Sequence, residues 1–307
     1  MTYREDWIMV NNVPTRILTW GTWVEDLKDD ENLVFVITGN PGVVDFYEQF
    51  LEELHKNLKM PVWAVGHAGH EIPPKSKNMK SNHLYDLQEQ IDHKAAIMEK
   101  FIPQNCKVYI IAHSMGAKVA LELLKMPKIG EKIEKCYMLF PTVERIADTR
   151  NAKFIVPFIH YFGSTIIFLS WIFTLLPNLM QYYMLSGTFK LAYGASSACA
   201  IQGGIKLIRP LVLKNVFHLT NDEMIKIKEL DAQTLNKYKN KLKFYYGTTD
   251  GWSPLKFYSN LKNKVPDVDA VVCKDGIQHA FAIKSSSLMA DRIANWIKEL
   301  KSYECNN

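Results

Sequence analysis

The sequence predicts an α/β protein: a mostly parallel sheet covered by helices on both faces. Three observations point there. Short apolar runs alternate with amphipathic, helix-length segments along most of the 307 residues. Several runs, such as Leu33 to Ile37 (LVFVI), are apolar at every position, as strands buried on both faces are. In "VYIIAHSMGAKVALELL", Val108 to Leu124, a strand pattern passes into a helix pattern with no loop between them, so the tightest bend falls on a serine, Ser114.

The elements follow in order. Trp7 to Val10 and Arg16 to Trp20 read as a hairpin around Asn11-Asn12-Val13-Pro14. Leu33 to Ile37 is a strand ending at Gly39-Asn40-Pro41-Gly42, and a helix spans Tyr47 to Leu58. Pro61 to Val65 is a strand, Asp86 to Phe101 a helix, Val108 to Ala112 a strand, Ala117 to Leu124 a helix and Cys136 to Phe140 a strand. After a long interruption the pattern resumes with the strand Leu242 to Tyr246, the helix Pro254 to Leu261, the strand Ala270 to Cys273 and the helix Leu288 to Leu300. The simplest organisation is one domain over 1–307 with an inserted cap or lipid-binding region over 142–238 after the sixth strand.

Composition narrows the function classes. With 48% hydrophobic and 22% charged residues, the chain can bury a large single core, and disorder is not expected. The net charge of +5 comes from scattered lysines, as in "NKYKNKLK", and not from a basic stripe with interleaved aromatics, so nucleic acid is not an expected partner. Five cysteines, Cys106, Cys136, Cys199, Cys273 and Cys305, are odd in number and lack C-x-x-C spacing, which predicts free thiols in a reducing compartment. The first residues, MTYREDWIMVNN, lack the apolar core of a secretory signal.

The chemistry centres on Ser114. Ligand chemistry in an open parallel sheet gathers at the carboxyl ends of the strands, and Ser114 sits at such an end. A nucleophile elbow needs small neighbours because strand and helix approach closely there; Ala112 and Gly116 fill those places. The motif reads Ala-His-Ser-Met-Gly, with alanine for the first glycine of G-x-S-x-G. A serine hydroxyl needs a base, and the base an orienting acid, in the chain order serine, acid, histidine. Asp250 ends "KFYYGTTD" directly after a strand, and His279 follows the last strand in "KDGIQHAF". Asp275, on the loop of His279, is the alternative acid if Asp250 points away. His113 adjoins Ser114, but neighbouring side chains on a tight turn diverge, so it is a poor base. The oxyanion would be held by the backbone N–H of Met115 and by a second donor from the loop after the third strand, Asn40 as first choice and Gly42 as second, since Pro41 has no N–H. His67 and His70 lack an acidic partner at metal spacing and read as loop-packing histidines; Asp86, Asp92 and His93 read as the solvated face of a helix. No metal or cofactor is expected.

The serine elbow, "FYYGTTD", "QHAF", "GNPG" and "YDLQEQIDHK", with an apolar insertion, together resemble the lipid droplet-associated hydrolase family of the α/β-hydrolase superfamily, over nearly the whole chain. The resemblance implies Ser114 as nucleophile, Asp250 as acid and His279 as base. It also implies residence on lipid droplets and the cytosolic face of the endoplasmic reticulum, and a neutral lipid ester, such as a sterol ester, as substrate.

The insertion is unusual in composition. Phe154 to Phe189 contains no Asp, Glu, Lys or Arg. Phe158 to Leu176, between Pro157 and Pro177, approaches the length of a bilayer crossing, but one crossing would put the two halves of the sheet on opposite sides of the membrane. A cap over the active site is one reading. The favoured one is a helical hairpin turning near Pro177-Asn178 that dips into a droplet monolayer or endoplasmic reticulum leaflet, with Trp171, Tyr182 and Tyr183 near the interface, because a segment without charge has no side to show to water. Three functions remain open: a serine ester hydrolase, a droplet-organising protein that retains the fold as a scaffold, and an acyltransferase to an alcohol or thiol.

Overall fold

A computed structural model describes residues 3–74, 82–194 and 197–305, without the side chains of 303–305, so Cys305 falls outside the described side chains. Eight strands form one sheet in the order β1-β2-β4-β3-β5-β6-β7-β8. They are β1 (Arg4–Val10), β2 (Val13–Trp20), β3 (Asn32–Ile37), β4 (Val62–Val65), β5 (Lys107–His113), β6 (Ile133–Leu139), β7 (Leu242–Tyr246) and β8 (Asp269–Val272). The pairs β1–β2 and β2–β4 are antiparallel, and the rest of the sheet is parallel. The first hairpin is tighter than the sequence suggested. Asn11 and Asn12 alone turn it, both with positive φ (47° and 62°), as a two-residue turn requires, and Val13 and Pro14 already belong to β2.

The apolar runs divide between two layers. Along β3, Leu33, Phe35 and Ile37 face one core and Val34 and Val36 the other, following the two-residue period of a strand. The first core is closed by α2 (Leu87–Phe101), α3 (Gly116–Lys125), α9 (Ala232–Tyr238) and α10 (Leu255–Lys264). The second is closed by α1 (Glu48–Leu58) and α12 (Ser286–Cys305), which pack on each other. The short helices α4 (Pro127–Gly130) and α11 (Phe281–Lys284) lead into β6 and α12. Asp86 starts α2 through a capping box with Glu89. His93 does not lie on a solvated face: its ring is buried, Nε2 meeting Thr15 Oγ1 at 2.7 Å, and the neighbouring Lys94 is buried too and bonds the Gly66 carbonyl. Burial lowers the Lys94 ammonium to about 7.

Between β6 and β7 come α5 (Arg150–Thr174), α6 (Asn178–Tyr193), α7 (Ala198–Leu207), α8 (Pro210–Lys226) and then α9. The sequence bounded the apolar segment at Phe158, after Pro157, but α5 begins at Arg150 and runs through that proline. Thr149 caps the new start by accepting from the Ala152 N–H. Pro157 and Lys153, whose carbonyl loses the i→i−4 bond, both lie on the exposed side. Gly163 of α5 rests against Phe217 of α8, and Gly203 and Gly204 of α7 against Phe46 and the α6 residue Phe189. These contacts tie the inner sides of α5 and α6 to the body. Their outer sides expose Phe154, Tyr161, Phe168, Trp171, Leu175, Leu179, Tyr183 and Leu191.

Candidate active site

Ser114 lies at the junction of β5 and α3 with φ of +54°, a conformation uncommon outside glycine. Two close approaches make that bend. A Cβ on Gly39 would stand 2.8 Å from the Ser114 Cβ, and one on Gly116 would stand 2.6 Å from the Ile37 carbonyl oxygen. Ala112, in contrast, is wholly buried within the core, pairing with Ile37 and Met138, so a methyl is accommodated where the elbow pattern has its first glycine. The Ser114 N–H donates to the Leu139 carbonyl at 2.9 Å, which holds the turn to β6.

The loops after β7 and β8 bring two further groups to Ser114. His279 Nε2 is 3.0 Å from Ser114 Oγ, and His279 Nδ1 is 2.6 Å from Asp250 Oδ2. The second oxygen of Asp250 accepts from the N–H groups of Trp252 (2.7 Å) and Ser253 (3.0 Å). Burial would raise this carboxyl, yet the His279 hydrogen bond and charge, with the two amides, hold it below the ordinary carboxylate value. Asp250 is thus an ionised carboxylate fixed from both sides. The rival acid points elsewhere: Asp275 pairs with Arg292 at 2.6 Å.

The second layer holds a feature the sequence did not reveal. His113 is buried, with Nδ1 2.6 Å from Tyr47 Oη and Nε2 2.9 Å from the His279 carbonyl oxygen. Burial first, and then the proximity of His279, lower this imidazole to about 3, so it is neutral. It is therefore no proton acceptor for Ser114.

Two cavities of about 310 and 320 Å³ flank His279, and Asn40, Pro41, Leu207 and Trp252 line both. Phe189 and Tyr193 of α6 border the first; Ser114, Ile155 of α5 and Glu223 of α8 border the second. Met115, at the start of α3, and Asn40 have backbone N–H groups bonded to no acceptor among the described residues. The Asn40 side chain is committed to α8, donating to Val216 O, Thr220 Oγ1 and Glu223 Oε1. Gly42 lies beside the ring of His67.

Comparison with known families agrees with this architecture. Residues 30–282 match the family model described as lipid-droplet associated hydrolase. The chain belongs to that family. It is 37% identical to the lipid droplet-associated hydrolase of Drosophila melanogaster, over 96% of this chain and 98% of that one. The Mus musculus protein of the same name is 32% identical over 96% and 94% of the two chains, and the Homo sapiens one 28% over 96% and 95%. Among solved structures, a thioesterase domain from the curacin biosynthetic pathway superposes with TM-score 0.66 at 11% identity, covering 96% of this chain and all of that one. A serine hydrolase from Cycloclasticus zankles superposes with TM-score 0.65 at 16% identity, covering 97% and 99%. The fold is that of the α/β-hydrolases, an eight-stranded, mostly parallel sheet flanked by helices, with an apolar helix after the sixth strand.

Other residues singled out in the sequence lie away from this centre. His67 and His70 are buried and pack edge to face at 5.4 Å, His70 Nδ1 bonding the Pro41 carbonyl; burial lowers both rings, His70 to about 4. Asp86 caps α2, and Asp92 accepts from Gln88. Cys106, Cys136 and Cys273 are buried free thiols, and Cys199 is half-buried. Two site residues, Tyr47 and Glu223, escaped the sequence reading because each sits in an ordinary amphipathic helical pattern with no motif around it.

Proposed function

We propose that this protein is a serine ester hydrolase acting on neutral lipid esters, of the sterol ester or acylglycerol class, at the surface of lipid droplets and the cytosolic face of the endoplasmic reticulum. The observation that carries the reading is the continuous relay Asp250–His279–Ser114 at 2.6 and 3.0 Å. His279 Nδ1–H donates to Asp250, which leaves Nε2 free to accept the Ser114 proton as Oγ attacks the acyl carbonyl. The N–H groups of Met115 and Asn40 hold the oxyanion, helped by the positive end of α3. The imidazolium then protonates the departing alcohol. Water, activated by His279, cleaves the acyl-enzyme and releases a fatty acid.

Residues 142–238 serve in this reading as an inserted cap and lipid-binding region of a single domain, 1–307. β6 and β7 pair directly and in parallel, so the chain before and after the insertion belongs to one sheet and stays on one side of a membrane. α5 is long and apolar enough to cross a membrane, and little of it is buried in the body of the protein. The outer faces of α5 and α6 would rest in the lipid monolayer, and Ile155, Phe189 and Tyr193 at their roots lead to the two cavities. The extent of that exposed face also supports a second reading, a droplet-organising protein with little or no turnover.

Fluorophosphonate labelling separates the two. The hydrolase reading expects covalent labelling of the folded protein, abolished in Ser114→Ala. A folded protein that does not label, and whose cellular effect on droplets survives Ser114→Ala, would be an organiser.

A further inference from the structure

We propose that Glu223 on α8 reads a free hydroxyl on the substrate, so that the preferred ester carries a hydroxyl near the scissile group and is not fully substituted by hydrocarbon. This rests on the reading of Ser114 as the nucleophile and narrows the substrate class of the same site.

The cavity of about 320 Å³ beside Ser114 and His279 has a mainly apolar wall, including Ile155, Leu213 and Phe217, as suits an acyl chain. Glu223 interrupts that wall. It is only 4% exposed, and Thr220 beside it 8%. Among the described residues its carboxyl takes one hydrogen bond, from Asn40 Nδ2 to Oε1 at 3.0 Å, with no partner for Oε2 and no cation paired with the group. The charge beside it in sequence is Asp222, of like sign. The buried Asn40 Oδ1 also lacks a donor.

An unpaired carboxylate in such a place is costly, and the group answers by keeping its proton: burial, then Asp222, raise it to about 8. A neutral carboxyl both donates and accepts. The wall therefore offers both a donor and an acceptor in the Glu223 carboxyl. A hydrocarbon chain satisfies neither, whereas a hydroxyl satisfies both kinds at once. Sites that keep buried polar groups for a substrate hydroxyl discriminate strongly against the analogue without it, because those groups are then left unpaired. Two sources share this chemistry: a free hydroxyl on the alcohol part, as in a partial acylglycerol, or one on the acyl chain.

The test uses three nitrophenyl phosphonates of equal length that label Ser114: one with a hydroxyl on the alkoxy arm, one with a hydroxyl on the alkyl chain, and one with neither. Wild type should label with one of the hydroxyl probes about tenfold or more faster than with the plain one, and the faster arm identifies the source. Glu223→Leu should bring that ratio within about twofold of unity while the plain probe still labels, and Glu223→Gln should keep most of the preference. A wild type that labels equally with all three overturns the inference. So does a Glu223→Leu variant that slows all three alike, since Glu223 would then act only by holding Asn40. If no probe labels the folded wild type, the hydrolase reading itself fails and this inference with it.

Discussion

His113 Nε2 donates to the carbonyl oxygen of His279 at 2.9 Å, so the imidazole next to Ser114 anchors the backbone of the imidazole that faces it. A carbonyl only accepts, which places the His113 proton on Nε2 and makes Nδ1 the acceptor for Tyr47 Oη–H at 2.6 Å. The Gly39 N–H completes the chain by donating to Tyr47 Oη at 3.2 Å. The strand ends that form the site are thus tied through one neutral ring.

Tyr47→Phe removes the hydroxyl and leaves His113 Nδ1 buried without a donor. The expected cost is about 1–3 kcal/mol of stability, with fluorophosphonate labelling slowed about tenfold as His279 loosens. Thermal denaturation and labelling rates measured together check this. A variant that loses stability but labels at the wild-type rate would reduce the His113 link to packing.

Asp250→Asn addresses the tautomer. The Oδ1 that accepts the Trp252 and Ser253 amides can be kept, whereas the side-chain NH₂ would face His279 Nδ1 and force the proton onto Nε2. His279 could then no longer accept from Ser114, and the rate should fall by about 10³–10⁴ at neutral pH. The carboxylate also contributes stability: held below its ordinary 3.8, it stabilises the fold above that value and loses the contribution as pH falls through the lower one. Comparison of acid denaturation curves should show wild type losing more stability than Asp250→Asn as pH drops below 4.

The meeting of Ser114, Asp250 and His279 was legible in the sequence because each follows a strand of a regular α/β alternation, which fixes the end of the sheet it occupies. Gly116 was legible for the same reason, since the elbow demands close approach to β3. Tyr47 and Glu223 were not. Helical periodicity says which face of a helix is buried, but not that a buried polar atom meets a particular group far away in the chain, as Glu223 meets Asn40. His93 was read as solvated because charged and polar residues on a helix usually are; in the folded chain β2 and the loop after β4 cover it and the neighbouring Lys94 and supply Thr15 Oγ1 and the Gly66 carbonyl as partners. Pro157 misled because a proline usually marks a helix boundary, and here its lost hydrogen bond falls on the exposed side.

Glu223 gives a pH signature of its own. Its ordinary value is 4.5 and its folded value about 8, so over that interval the folded chain holds a proton that the unfolded chain releases. Its contribution is complete below 4.5, declines as pH rises to about 8 and changes no further above it. Glu223→Gln is neutral throughout and lacks this decline. The melting temperature of wild type minus that of the variant should therefore fall between pH 5 and 8; a difference that stays level over that range would show the carboxyl to be ionised already.

The outer face of α5 separates lipid attachment from folding. Phe168, Trp171 and Leu175 lie on one side of the helix and are 57%, 50% and 64% exposed, so replacing all three with serine removes little native packing. The melting temperature should shift by no more than about 2 °C. In a monolayer the same side chains would each bury apolar surface worth about 1.5–2.5 kcal/mol, and losing three should lower binding to phospholipid-coated triolein emulsions by about 100-fold or more. Fluorophosphonate labelling in detergent solution should be unchanged, because Ser114, His279 and Asp250 are held by β5 and by the loops after β7 and β8, and none of the three replaced side chains lines either cavity. Emulsion binding that survived the triple substitution would move the attachment site away from α5 and leave the cap as the role of the insertion.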